Sequence, residues 1–85
     1  MYNFKVINMS MSNKIFNETC FAAVNEAKFK LPDSRFIPTE LRDGVFCCNG
    51  TANENLEVLV CLKEHFRMKR FEEGIDFTIN VLIEN

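Results

Sequence analysis

Cysteine and histidine are the residues of this sequence that could bind a metal ion or act in catalysis. There are four cysteines and a single histidine among 85 residues. Cys61 and His65 lie four residues apart on a predicted helix, a spacing that places both side chains on one face and within reach of one ion. Cys47 and Cys48 are adjacent and would point to opposite faces of a strand. Small buried thiols and a solvated imidazole are the commoner roles, so the sequence predicts no metal site.

Patterns typical of a catalytic centre are missing from the sequence. No serine or cysteine sits in a nucleophile turn, and no glycine-rich loop is present that could hold a phosphate. The carboxylates are scattered, and Glu72-Glu73 is typical of a solvated pair. A chain of this length also rarely encloses a pocket as large as a small-molecule site needs. We therefore expect a protein that is not an enzyme and has no cofactor and no small-molecule substrate.

Basic residues are the strongest candidates for a binding site. Four of the ten fall within eight positions: Lys63, Arg67, Lys69 and Arg70. On a helical projection Lys63, Arg67 and Arg70 align at i, i+4 and i+7, beside an apolar stripe. A row of this kind could follow a phosphate backbone, with an affinity that falls steeply as salt rises. The alternative is an ordinary solvated helix face balanced by neighbouring glutamates, and charge alone leaves both open.

The overall composition indicates one small globular domain over residues 1–85. Apolar residues make up 47% and charged residues 26%, and ten basic against twelve acidic residues give a net charge of −2. This balance excludes a disordered tail, and the acidic total disfavours avid, free-standing binding to nucleic acid. Since no apolar run is long enough for a transmembrane helix or a signal-peptide core, we expect a cytoplasmic protein with no membrane partner.

Local patterns predict six elements of secondary structure. Residues 2–9 read as a strand with Tyr2, Phe4 and Val6 on one face, and a helix follows the capping residues at 17–19, with Phe21, Val24 and Phe29 as its core anchors. Two short strands at 35–41 and 45–49 flank Asp43-Gly44, the strongest hairpin signal in the chain. Pro38 indicates that the first of these strands lies at a sheet edge.

The last third of the chain predicts a second helix and a final strand. Asn53 or Asn55 would cap the helix, which continues to about Phe71 and ends at Gly74. Its apolar stripe consists of Leu59, Leu62 and Phe66, with Val58 beside them. Alternating apolar residues then predict a half-buried strand with one core face, formed by Ile75, Phe77, Ile79, Val81 and Ile83.

The order β-α-β-β-α-β favours an α+β fold. We expect a two-layer sandwich in which two helices lie on one face of a small mixed sheet, because both apolar stripes are then buried.

Four stretches of the chain resemble the eukaryotic large-subunit ribosomal protein twenty-two family. Phe4-Lys5-Val6 is similar to its first strand, and residues 13–17 followed by Phe21 look like its turn into a helix with an early aromatic. Asp43-Gly44 stands where the family has a hairpin. The likeness to the family's long basic helix and the strand after it is carried by Leu59, Leu62, Lys63, Phe66, Lys69, Arg70, Phe71, Ile75 and Phe77. The chain looks like a shortened member of that family.

This resemblance implies a structural component of the large ribosomal subunit, without catalysis. It would bind ribosomal RNA and neighbouring large-subunit proteins. By position Lys63, Lys69 and Arg70 match the family's basic helix, whereas Arg67 replaces an apolar family residue and is added from its place on the stripe. The sequence departs from the family at Glu72-Glu73-Gly74, which stand in place of Arg-Asp-Trp, and this reduced charge predicts a smaller RNA footprint.

Two other functions fit the same order of elements. One is a small protein-interaction module that pairs an exposed sheet edge, near Pro38 or at the last strand, with a partner. The other is a ferredoxin-like small-ligand or regulatory domain, which would need a concave dimer interface.

Overall fold

A computed structural model describes residues 2–34 and 36–83 of the chain. In this part of the chain the elements are β1 (Tyr2–Asn8), α1 (Asn13–Lys30), β2 (Thr39–Arg42), β3 (Val45–Cys48), α2 (Ala52–Met68) and β4 (Phe77–Ile83). The predicted α+β fold and the order β-α-β-β-α-β are confirmed. The placements predicted for Arg35 and for the side chains of Tyr2 and Ile83 lie outside the described part. None of the described helices is long and apolar enough to cross a membrane.

The four strands form one sheet in the order β2-β3-β1-β4. All three pairings are antiparallel, so the sheet is not the mixed one that the sequence predicted. The reason is that each helix crosses over an intervening strand. β1 and β2 run in the same direction but have β3 between them, and β3 and β4 have β1 between them. This is the split β-α-β arrangement, in which parallel strands are never neighbours.

Both helices cover the same face of the sheet and enclose the core. Inward-facing residues alternate along the strands, as a half-buried sheet requires. The sheet contributes Phe4, Val6, Phe46, Cys48 and Phe77 to the core. The helices contribute Phe16, Cys20, Ala23, Ala27, Val58, Leu62 and Phe66, among others. The opposite face of the sheet has no covering layer in the described part of the chain.

The hairpin between β2 and β3 has the geometry that its sequence predicts. Asp43 and Gly44 both have positive φ, 49° and 76°, as a two-residue primed turn demands. The turn pairs Arg42 with Val45. β2 lies at the sheet edge, as Pro38 indicated, although it begins at Thr39 and is shorter than predicted.

Both helices begin at other residues than those predicted from the capping patterns. Ser12 caps α1, because its hydroxyl accepts a hydrogen bond from the Ile15 N–H at 3.2 Å. Thr51 caps α2 in a reciprocal capping box with Glu54. Asn55 is buried within α2 instead, where its side-chain oxygen accepts from the Gly50 N–H at 2.8 Å. The early start of α1 adds more than a turn to the helix, and this added part contributes Phe16 to the core.

The end of α2 also differs from the prediction. The helix ends at Met68, and Arg70 adopts a left-handed conformation with φ of 65°. The N–H of Arg70 then bonds to the carbonyl of Arg67, and that of Phe71 bonds to Phe66. This is a Schellman motif, in which a hydrophobic contact usually accompanies the hydrogen bonds. Here the rings of Phe66 and Phe71 meet edge to face, with centroids 6.4 Å apart.

Candidate nucleic-acid interface at the end of the second helix

The four predicted RNA-binding residues lie around the carboxyl end of α2. Lys63 and Arg67 occupy successive turns of the helix, Lys69 is its C-cap and Arg70 follows the cap. All four are exposed. The helical row predicted for Lys63, Arg67 and Arg70 therefore stops at Arg67, because the backbone reverses before the third member. The four side chains form a cluster around a helix end, which we call the basic end.

Two members of the basic end have partners within the protein. Lys69 donates a hydrogen bond from Nζ to the Thr19 hydroxyl at 2.8 Å, which ties the end of α2 to α1. Lys63 Nζ lies 3.9 Å from Glu73 Oε1, and both side chains are about half exposed. A pair so exposed is screened by water and is easily exchanged for another anion.

The two arginines differ from the lysines in this respect. Among residues 2–34 and 36–83, no carboxylate lies within ion-pair distance of Arg67 or Arg70. A guanidinium offers a fork of N–H donors that matches two oxygens of a phosphate. These groups are therefore free to bind an external anion.

A shallow cavity of about 270 Å³ lies beside the basic end. It is lined by Lys63, Arg67, Phe71, Glu72, Glu73 and Phe77. A neighbouring cavity of about 260 Å³ shares Lys63 and Arg67 and adds Val60 and Glu64. Two cations thus stand at the border of both, while the carboxylates beside them limit how much negative charge the surface can accept. The arrangement suits contacts to a few phosphate groups rather than to a long stretch of nucleic-acid backbone.

Arg70 occupies a backbone position that favours glycine. Left-handed φ brings Cβ close to the backbone and costs a non-glycine residue roughly 1 kcal/mol. Nothing in the Schellman motif requires an arginine there, since the hydrogen bonds come from the backbone. A left-handed residue is common at this position, where glycine or asparagine usually adopts it. The sequence did predict Arg70 as a binding residue, but as the third member of a helical row, and the helix ends before it.

Cys61 and His65, which lie four residues apart on α2, both contact the Glu26 side chain of α1. His65 Nε2 lies 2.8 Å from Glu26 Oε2, and that hydrogen bond lowers the pKa of the Glu26 carboxyl. Cys61 is buried and its Sγ lies 3.9 Å from Glu57 Oε1. Burial raises the pKa of Cys61 to about 11, so its thiol stays protonated at neutral pH. In the described part of the chain, no three metal-ligating side chains form a cluster that could hold an ion.

Two phenylalanines predicted to anchor α1 in the core are exposed. Phe29 is 90% exposed and Phe21 is 62% exposed, whereas Val24 is buried as predicted. The inward stripe of the helix is formed by Phe16, Cys20, Ala23, Val24 and Ala27, and Phe21 and Phe29 lie away from it. Large exposed apolar side chains are a candidate contact surface that sequence periodicity did not reveal.

The uncovered face of the sheet carries a groove that sequence reasoning missed. Its volume is about 450 Å³, and it is lined by Asn3, Lys5, Pro38, Thr39, Glu40, Cys47 and Asn49. The side-chain oxygen of Asn3 is buried there and finds no hydrogen-bond donor among the described residues. The lining mixes both charges with amides, and its residues come from β1, β3 and the β2 edge. Only the register of the sheet brings them together, which no local pattern could have predicted.

Comparison with protein-family models, with curated proteins and with solved structures gives no match.

Proposed function

We propose that this protein is a non-catalytic structural component of a cytoplasmic ribonucleoprotein and binds RNA through the basic end. The resemblance of the sequence to a large-subunit ribosomal family makes the large ribosomal subunit the expected particle, with ribosomal RNA and neighbouring subunit proteins as its partners. The observation that carries the proposal is the pair of exposed arginines, Arg67 and Arg70, without a carboxylate partner in the described chain.

The chemistry of the basic end favours contacts to phosphate. Arginine forks bind phosphate oxygens bidentately, and such contacts position a protein on RNA without reading its sequence. Double-stranded RNA is in any case recognised mainly by its shape and backbone. With Lys63 and Lys69 added, about four phosphates could be neutralised, which implies a moderate dependence of affinity on salt. The net charge of −2 agrees with a small footprint that other components of the particle complete.

The experiment is sedimentation of tagged protein from native lysate through a sucrose gradient at low and at high salt. We expect wild-type protein to migrate with the large subunit at low salt and to leave it at high salt. The double variant Arg67→Glu/Arg70→Glu should stay in the light fractions at both. The matched control Lys14→Glu/Arg42→Glu makes the same charge change at two exposed cations elsewhere and should migrate like the wild type.

Two outcomes would contradict the proposal. One is wild-type protein that remains in the light fractions at low salt. The other is loss of co-migration in both double variants, because the effect would then follow total charge and not the basic end. Circular dichroism of all three proteins establishes that each is folded.

A second candidate function is a protein-interaction module. The exposure of Phe21 and Phe29 on α1 favours it, since aromatic side chains are enriched at protein–protein interfaces. In that case charge reversal at Lys63 and Arg70 would have almost no effect on assembly. Phe21→Ser/Phe29→Ser would instead release the protein from its partner, which a pull-down with wild-type and variant bait measures.

A further inference from the structure

The two edges of the sheet are built differently. At one edge β2 has only four residues, follows Pro38 directly and includes the charged residues Glu40 and Arg42. Short length, proline and charge are the devices that keep an edge strand from pairing with another chain. This edge is therefore protected.

The edge formed by β4 has none of these devices. β4 has seven residues with the sequence FTINVLI, which contains no charge, no proline and no glycine. Its register against β1 runs without interruption through seven pairs, from Tyr2 with Ile83 to Asn8 with Phe77, so no bulge bends it away. Val81 is 49% exposed on the side of the sheet that faces the helices. A long, uncharged edge of this kind is a template for another strand.

We propose that β4 pairs with β4 of a second copy of this chain, antiparallel, to give a continuous eight-stranded sheet across a homodimer. An antiparallel edge can meet an identical edge around a two-fold axis, which is the isologous contact of most dimers. If the axis passes near Asn80, Ile79 of each copy lies opposite Val81 of the other copy. Both residues belong to the side that faces the helices, because they pair with Val6 and Phe4 of β1.

The charge pattern favours a second copy as the occupant. Each chain carries a net charge of −2, so two copies repel each other wherever their charged surfaces meet. β4 itself carries no charged residue that would face the same residue type of a second β4, whereas β2 is short, follows Pro38 and carries two charged side chains, which are features that deter pairing of an edge strand. Apolar contact between Val81 and Ile79 of the second copy would also bury surface that the monomer leaves half exposed. This inference goes beyond RNA binding and does not depend on it.

The experiment is sedimentation equilibrium of the purified 85-residue chain at about 10–200 µM, a range in which weak dimers form. We expect the mean mass to rise with concentration from 9.9 kDa towards twice that value. Asn80→Lys places two like charges at the proposed axis and should weaken dimerisation at least about tenfold. Thr39→Lys adds the same charge at the other edge and should dimerise like the wild type.

Three outcomes would overturn the proposal: a wild-type monomer at every concentration, an Asn80→Lys variant that dimerises normally, or a Thr39→Lys variant as impaired as Asn80→Lys. Hydrogen exchange of the wild-type protein gives an independent readout if Asn80→Lys fails to fold. The amides of residues 77–83 should become better protected as concentration rises, while those of β2 should not. Exchange in β4 that does not depend on concentration would contradict the proposal.

Discussion

Replacement of Phe77 by alanine tests how β4 is attached to the core. Phe77 begins the strand and is only 3% exposed. Its ring stacks on that of Phe66 in α2, with centroids 4.4 Å apart, and Phe66 in turn stacks on Phe16 of α1 at 6.0 Å. Phe77 thus joins the last strand to both helices through one aromatic column.

The magnitude follows from the transfer and cavity terms. Removal of a buried phenyl ring loses about 2 kcal/mol of transfer free energy. If the surrounding side chains collapse only in part, a residual cavity on the order of 100 Å³ at about 24 cal/mol per Å³ adds roughly 2 kcal/mol. The lost ring pair contributes about 0.5–1.5 kcal/mol more, and relaxation of the site offsets part of the total. We therefore expect Phe77→Ala to lower the free energy of unfolding by about 3–5 kcal/mol.

The assay is urea unfolding followed by circular dichroism, with Ile75→Ala as the matched control. Ile75 belongs to the same alternating apolar series but precedes β4 and is 64% exposed, so its truncation should cost less than about 0.5 kcal/mol. A loss below about 1 kcal/mol for Phe77→Ala, or equal losses for the two variants, would refute the reasoning. A double-mutant cycle with Phe66→Ala isolates the ring contact, for which we expect a coupling of about 1 kcal/mol.

Two further predictions concern the basic end and the loop that precedes β4. Arg70→Gly should raise the free energy of unfolding by about 0.5–1 kcal/mol, since glycine tolerates the left-handed position, yet weaken RNA binding. Arg67→Gly removes the same charge from within α2 and should lower the free energy of unfolding by about 1 kcal/mol. A loss of stability in both variants would contradict the left-handed conformation of Arg70. Hydrogen bonds from the Ser10 hydroxyl and the Glu72 N–H hold the pKa of Asp76 below its ordinary value. The contribution of Asp76 to stability is therefore present above the unfolded pKa of 3.8 and is lost as pH falls through the folded pKa. We expect Asp76→Asn to lower the free energy of unfolding near neutral pH. Acid titrations of unfolding should also show a smaller loss of stability below about pH 4 in this variant than in the wild type. If Asp76→Asn loses stability at low pH just as the wild type does, Asp76 does not contribute to the acid sensitivity of the fold.

Much of the fold could be predicted because its signals are local. Asp43-Gly44 needs positive φ at two successive residues and permits few other turns. The alternating pattern placed Phe77 correctly in the core, but it was wrong for Ile75, which precedes β4 and is exposed, and for Val81, which is half exposed. The apolar stripe of α2 placed Leu62 and Phe66 correctly in the core. The order of six elements and the single two-layer domain followed from these patterns.

Predictions failed at the ends of the helices, where several local patterns compete. More than one residue before each helix could cap it, and the capping residues proposed from the sequence were not Ser12 and the Thr51–Glu54 capping box that the structure uses. The stripe of α1 that packs on the core includes Phe16 and Val24 but not Phe21 or Phe29, which are exposed. In the same way, the contact of Phe71 with Phe66 ends α2 before Arg70, a termination that charge spacing does not reveal.

The sequence by itself determined which elements form, their order and the concentration of basic residues at positions 63–70, because propensity, alternation and turn chemistry act over a few neighbouring residues. The tertiary structure decided the antiparallel strand order and the exposure of the β4 edge. It also decided the partners of Lys63 and Lys69 and left Arg67 and Arg70 without a carboxylate partner in the described part of the chain. Each of these depends on residues far apart in sequence, such as Lys69 with Thr19 or β1 with β4. Packing of two helices on one sheet face brings those residues together, and it is a property of the whole core rather than of any segment.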